Sequence, residues 1–329
     1  MLVIYAKEGL EDLEFYLKSE DIPYTKRGQL IIAVCEDVEF IASASSMPEK
    51  LRQSIKIVRA SQEDIQIPDR MLELGFKSTF LDDFLEVHLY NNLSSTLGSS
   101  ETYFQAIIDV KAKDIYGFEA LCRAQVPVYK LFKVSDRVAH LTDHFCREKA
   151  LLEYRRRGLT RFNLFLNFHP KFLRNPIENV GEIISSLEVK NITPSRIVME
   201  IDEYEGMNLS SLRMIRDFMK VEGVKVALDD VGAGYSGLYQ LTEIKPDIAK
   251  LDMQLVRDVH SNSMKRAVVR GLVKACKEAG IKVLAEGVEK QEELEFLLSM
   301  EVDYLQGFYF AKPTPYPDLE SIKERASSL

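Results

Sequence analysis

The chain has 329 residues, 46% of them hydrophobic and 29% charged, a composition suited to globular units with a sizeable core. Its formal net charge of −8 argues against broad electrostatic binding to duplex nucleic acid or to an anionic membrane, because few cations are free to neutralise many phosphates at once. Cys35, Cys122, Cys146 and Cys276 lack CxxC spacing, so neither a zinc site nor a disulfide framework is indicated, and a reducing compartment fits.

The first segment, MLVIYAKEGLEDLEF, runs into acids after a short apolar stretch, unlike a signal peptide. No uninterrupted apolar run approaches membrane-spanning length, so a cytoplasmic protein without membrane contact is expected. MLVIYA reads as a strand, Leu10, Leu13 and Leu17 fall at helical spacing, GQLIIAV reads as a second strand, and helix-like segments follow as far as Asn92. Together these predict a small α/β domain over residues 1–95. The Ser- and Gly-rich stretch NLSSTLGSSE is its natural linker to a second domain, residues 96–329.

Strand-like runs then recur at YFQAIIDV, YGFEALCRA, FNLFLNF, IVMEID, KVALDD, IAKLD, KVLAEGV and YLQGFYF, with helical stretches between most of them. LRMIRDFMKVE ends at Gly223. In SMKRAVVRGLVKACKEAG, positions 264, 267, 268, 271, 272, 275, 276 and 279 follow the helical period, with Gly280 as the cap. This rhythm predicts a TIM-like (β/α)8 barrel, with a doubly wound open sheet as the alternative.

Polar residues interrupt these strands near their C-terminal ends: Glu119, Asn167, Glu200, Asp229 and Asp230, Lys250, Glu286 and Gln306. That is the face on which barrels carry active sites. Any one such carboxylate is ordinarily a cap or an ion-pair partner, but the same feature on seven strands points to a shared site. Five carboxylates gathered there could not all stay ionised, and hard divalent cations such as Mg2+ or Mn2+ resolve the conflict, two of them sharing a bridging carboxylate. Asp229 and Asp230 are the natural place for the bridge, and the glycines of GAGYSG read as a tight turn or a loop beside it.

Period-two parity puts Glu119, Leu121 and Arg123 on one face of their strand and Cys122 on the other, where it packs away from the site. It also separates Glu203 from Glu200 and Asp202, which suits Glu203 to loop support. Lys250 is either an ion-pair partner of a neighbouring acid or the holder of a nucleophilic water. His140 and His144 fall on a helix and read as surface residues.

The segments YFQAIIDVKAKDIYGFEALCR, FLNFHP, MEIDE, LDDVGAGYSGL, AKLD, AEGVE and QGFYFAKP occur in the order and spacing of the EAL domain, and from about Tyr103 to Pro315 the chain resembles that family of bacterial cyclic di-GMP phosphodiesterases. The resemblance implies a barrel whose first strand runs against the others. It further implies two Mg2+ or Mn2+ ions, one held by Glu119, Asn167, Glu200 and Asp229, the other by Asp229, Asp230 and Glu286. Glu119, Asp230, Lys250 and Glu286 would form the catalytic set, with Lys250 on the attacking water. Gln105, Leu121, Arg123 and Gln306 would contact cyclic di-GMP, and Glu203 would anchor the loop after the Asp pair. A homodimer paired through helices beside that loop is also implied. Val231, Asp202, His169 and Ala106 depart from the family's usual residues, and none of the four removes a metal ligand.

The leading expectation is a phosphodiesterase that opens cyclic di-GMP to linear pGpG. The main rival is a receptor that binds the dinucleotide without turning it over and signals through the N-terminal domain. An interaction module indifferent to the nucleotide is the third reading.

Overall fold

The computed structural model describes residues 2–6, 10–19, 21–27, 30–33, 44, 47, 49–61, 79–81, 83, 85, 87, 89, 93, 97–169, 176–201, 209–232 and 237–329. The chain forms two compact units: Met1–Ser100 with Arg123–Thr142, and Glu101–Cys122 with Asp143–Leu329.

The first unit holds a sheet in the order β2-β3-β1-β4-β5, built from β1 (Leu2–Ala6), β2 (Tyr24–Arg27), β3 (Leu30–Ala33), β4 (Ile55–Arg59) and β5 (Thr79–Phe80). Its pairings are antiparallel. Helix Leu10–Ser19 buries Leu13 and Leu17, one turn apart on one face. In β4, Ile55 and Ile57 are buried while Lys56 between them is exposed, the alternation of a sheet with one covered face. Where the sequence predicts two strands and then helices, the structure adds β2, β4 and β5. The four residues YTKR of β2 carry no apolar alternation, so their pairing with β3 rests on tertiary contacts rather than local pattern.

The second unit is a closed barrel in the order β10-β11-β12-β13-β6-β7-β8-β9. The strands are β6 (Glu101–Asp109), β7 (Asp114–Arg123), β8 (Asn163–Phe168), β9 (Ile197–Ile201), β10 (Lys225–Val231), β11 (Ile248–Leu251), β12 (Lys282–Ala285) and β13 (Tyr304–Gln306). β7 through β13 run parallel in their recorded pairings, while β6 pairs antiparallel with β13. Closure with a reversed first strand matches the barrel expectation and excludes the open sheet. The last two strands are shorter than predicted: the chain leaves the ladder after Ala285 and after Gln306, where glycines follow at 287 and 307.

Two apolar layers hold the barrel. Ile107, Phe165, Val198, Ala227, Ile248, Leu284 and Tyr304 form one cluster, the barrel interior, and a larger cluster packs the outer strand faces against the helices. Helix Ser263–Glu278 is capped by Asn262, whose side chain accepts from the backbone N–H of Met264 and Lys265. Gly280 follows its C-cap with φ +73, as a helix terminator should. Its core-facing stripe is Val269, Leu272, Val273 and Cys276, which keeps the predicted positions Leu272 and Cys276 and corrects the rest of the predicted face: Met264 and Val268 are 71% and 40% exposed. Both stripes have helical spacing, and β-branched Val269 and Val273 fit against the sheet where Met264, Ala267 and Gly271 do not.

Candidate active site

The interior apolar layer dictates where the polar residues go. Side chains two residues apart on a strand share a face. Two positions beyond Phe165, Val198, Ala227, Ile248, Leu284 and Tyr304 come Asn167, Glu200, Asp229, Lys250, Glu286 and Gln306, and on the reversed β6, Gln105 lies two before Ile107. The site is therefore the next layer of the same barrel interior, at the end where the parallel strands finish. Glu119 joins it from β7, two residues after Gly117. A Cβ at Gly117 would lie 2.5 Å from the backbone oxygen of Asn163, so only glycine lets β7 and β8 approach this closely.

The two adjacent aspartates would face opposite ways on a regular strand. Between Leu228 and Val231 the register against β11 shifts: β10 advances from 228 to 231 while β11 advances only from Ala249 to Leu251. The extra residue is a bulge, and Asp230 takes a left-handed backbone with φ 54. Consequently Asp229, Asp230 and Glu286 each bring a carboxylate oxygen within 4.8 Å of the others.

Lys250 is the hub. Its Nζ lies 2.6 Å from Glu200 Oε1, 2.8 Å from Glu286 Oε1 and 3.0 Å from Asp229 Oδ2. Burial alone would lower its pKa, but Asp229, Glu200 and Glu286 outweigh that and hold the ammonium well above the usual lysine range. Burial raises the Glu200 carboxyl well above its ordinary value, with Lys250 opposing and Glu119 and Asp229 adding to the rise. Burial likewise pushes Glu286 up to about 8. One ammonium is not enough charge for this set of acids.

On the other side of the site Gln306 Nε2 donates to Glu119 Oε2 at 2.6 Å and to Gln105 Oε1 at 3.2 Å, and Gln105 donates to the Ala311 carbonyl. Two buried acceptors, Glu200 Oε2 and Gln306 Oε1, have no hydrogen-bond partner. A buried carboxylate oxygen without a donor is costly unless a cation fills the gap. The donors present, all carboxylate or amide oxygens, suit hard divalent cations, and Asp229, Asp230, Glu286, Glu200, Glu119 and Asn167 are the residues that could hold them.

The remaining predicted positions lie as follows. Leu121 is half-buried late in β7, and Arg123 is exposed and belongs to the first unit. Cys122 is half-buried beside Cys146 of helix Asp136–Arg156, away from the acids as parity predicted. Glu203, Asp202 and residues 233–236 lie outside the described residues. Of the departures from the family pattern, Ala106 and Val231 are buried in the outer core. His169 Nδ1 lies 2.9 Å from Asp143 Oδ1, and Asp143 also pairs with buried Arg147. Burial opposes ionisation of Asp143, yet Arg147 and His169 hold it below the usual carboxylate range. Sequence reading missed this cluster because a helix and a strand end bring together residues 26 apart in the chain. A second group of possible ligands, Asp258, His260 and Glu293, is otherwise engaged: Glu293 accepts from three backbone N–H groups and Asp258 pairs with Lys290.

Residues 89–313 match the EAL domain. The chain belongs to the EAL domain family. Among its relatives, cyclic di-GMP phosphodiesterase RocR of Pseudomonas aeruginosa is 28% identical over 233 residues, covering 66% of this chain and 58% of that protein. The blue light- and temperature-regulated antirepressor BluF of Escherichia coli is 27% identical over 213 residues, 64% of this chain and 53% of that protein. This chain thus spans only about half of such curated relatives, and less of several others. Among solved structures, a standalone EAL protein of Vibrio cholerae O395 in its c-di-GMP-bound form is 31% identical with a TM-score of 0.62, covering 65% of this chain and 92% of that one. BlrP1 of Klebsiella pneumoniae, solved with manganese and cyclic di-GMP, shares the fold at 24% identity and a TM-score of 0.60, over 95% of this chain and 96% of its own. Among the described residues of this EAL protein, no helix is long and apolar enough to cross a membrane.

Proposed function

We propose that this EAL protein hydrolyses cyclic di-GMP to linear pGpG in the cytoplasm, using two divalent cations, Mg2+ or Mn2+. The observation that carries the reading is the cluster of three carboxylates, Glu200, Asp229 and Glu286, around Lys250, with one buried carboxylate oxygen of Glu200 left without a donor. The cations, when bound, would supply charge to offset that developing on the attacked phosphate and its leaving oxygen. Glu119, Asn167, Glu200 and Asp229 would hold one, and Asp229, Asp230 and Glu286 the other, with the bulge giving Asp229 and Asp230 a common target.

Lys250 would orient the attacking water. Its ammonium already meets three carboxylates, so it is fixed in place without help from substrate. Gln306 would address the scissile phosphate, kept in orientation by Glu119 and Gln105, with Leu121 against the ligand and Arg123 as a further phosphate contact by resemblance. Residues 1–95 would form a regulatory domain and 96–329 the catalytic one, with Glu203 supporting the loop after the Asp pair. Pairing of two copies is supported by the exposed stripe Met264, Val268, Gly271 and Ala275 on helix Ser263–Glu278, spaced for helix-to-helix contact.

A receptor reading remains the second candidate because one relative bears an antirepressor's name and others a phosphodiesterase's. The two part on a product assay: incubation of cyclic di-GMP with the full chain and Mn2+, followed by chromatography, should yield pGpG. Saturable binding with the dinucleotide recovered intact would favour the receptor.

A further inference from the structure

At the opposite end of the barrel, where the parallel strands begin, lies a cavity of about 460 Å³. Its lining includes Arg216 and Lys220 from helix Leu209–Val221, Lys225 at the start of β10, Lys245 before β11 and Lys282 at the start of β12. Five cations around one cavity stand out in a chain whose formal charge is −8.

The balance of charge inside the cavity is uneven. Lys282 pairs with Asp303 at 2.7 Å and Arg216 with Asp217 at 2.7 Å. Among the described residues of the lining the one acid, Asp247, accepts from the backbone N–H of Val226. Lys225 has, among the described residues, only neutral acceptors, Asn163 Oδ1 and the Ser195 carbonyl, and neither Lys220 nor Lys245 forms an ion pair there. Three ammonium groups therefore line one cavity without an ion-pair partner among the described residues, and a concave wall of low polarisability concentrates their field. The inner wall is aromatic: Tyr116 stacks on Tyr304 with centroids 4.1 Å apart, and Lys225 lies 5.8 Å from the Tyr116 ring.

We propose that this cavity binds a multiply charged phosphate ligand of nucleotide size, a nucleoside di- or triphosphate. The volume is within the range that small-molecule sites occupy. Cations carried on several separate elements suit a chain of phosphates rather than a single carboxylate, and the aromatic wall suits a ligand with an apolar part. The cavity is distinct from the acid-rich end, which repels phosphate when it holds no cation.

The test is calorimetric titration of the full chain in EDTA, first with inorganic triphosphate and then with adenosine triphosphate. One saturable site is expected, with adenosine triphosphate the tighter ligand. Lys220→Glu with Lys245→Glu should weaken binding at least tenfold without shifting Tm by more than a few degrees, and the milder pair Lys220→Ala with Lys245→Ala should weaken it severalfold. Asp229→Asn should leave it unchanged. Absence of saturable binding, or equal affinity in the lysine variants, overturns the site. Equal affinity for the two ligands overturns its assignment to a nucleotide and gives it to a bare polyphosphate.

Discussion

Lys250 and Glu200 lie 2.6 Å apart with side chains 1% and 0% exposed, a charged pair sealed into the barrel interior. Removing one partner of such a pair typically costs about 3–5 kcal/mol, because the other is left buried without compensation. Lys250→Met is therefore expected to lower the stability of the metal-free protein by about that amount. Saturating Mg2+ should restore part of the loss, since the cation takes over the ammonium's electrostatic role. Chemical denaturation with and without Mg2+ measures both, and the same variant should lose turnover by about 10²-fold or more if Lys250 positions the water.

Glu200→Gln makes the complementary case. The neutral amide removes a charge that burial already disfavours, and Lys250 keeps Asp229 and Glu286 as partners, so no buried charge is left uncompensated and the metal-free fold should be as stable as the wild type or more so. Metal binding should weaken, which titration with Mn2+ reads directly. A variant that lost stability while binding Mn2+ normally would show that Glu200 serves the fold and not the cation.

Gly307 explains a motif glycine in packing terms. A Cβ there would meet the Val288 backbone at 2.1 Å from its oxygen and 2.3 Å from its nitrogen. Backbone cannot yield as a side-chain end can, so Gly307→Ala should displace the segment after β13 and with it Gln306, whose carbonyl accepts from the Val288 N–H. The expected cost is about 1–3 kcal/mol, together with a raised KM for the dinucleotide.

Glu293 gives a pH signature away from the site. Burial would raise its pKa, but N–H groups of Asp258, Glu289 and Lys290 hold it below the ordinary range. A depressed folded value means that the stabilisation is complete above the unfolded pKa of about 4.3 and is lost as pH falls through the folded value. Glu293→Gln should therefore cost about 1.5–3 kcal/mol at pH 7 and progressively less below pH 4. Denaturation curves at the two pH values check this.

Much of the second unit was legible because its strands carry polar residues at one end only, and the apolar layer beneath them keeps strict period two. The bulge at Asp229 and Asp230 was not legible: a sequence shows two acids in a row, and only the register against β11 shows how both can bring a carboxylate oxygen close to Glu286. The buried face of helix Ser263–Glu278 was misassigned because two apolar stripes of equal spacing lie side by side on it, and only contact with the sheet separates Val269 from Val268. Asp143 and His169 escaped for a related reason, since their pairing depends on the fold and not on spacing. In the first unit, strands such as β2 are too short and too polar to declare themselves.

On the proposed reading, Asp229 and its neighbours hold cations that make this EAL protein a phosphodiesterase and not only a binder. The most direct measurement is pGpG release from cyclic di-GMP by the full chain in Mn2+, beside Asp229→Asn under the same conditions. The expected result is steady pGpG production by the wild type and a loss of about 10²-fold or more in the variant, with the fold intact. Equal product from both chains, or none from a wild type that binds the dinucleotide in Mn2+, would contradict it.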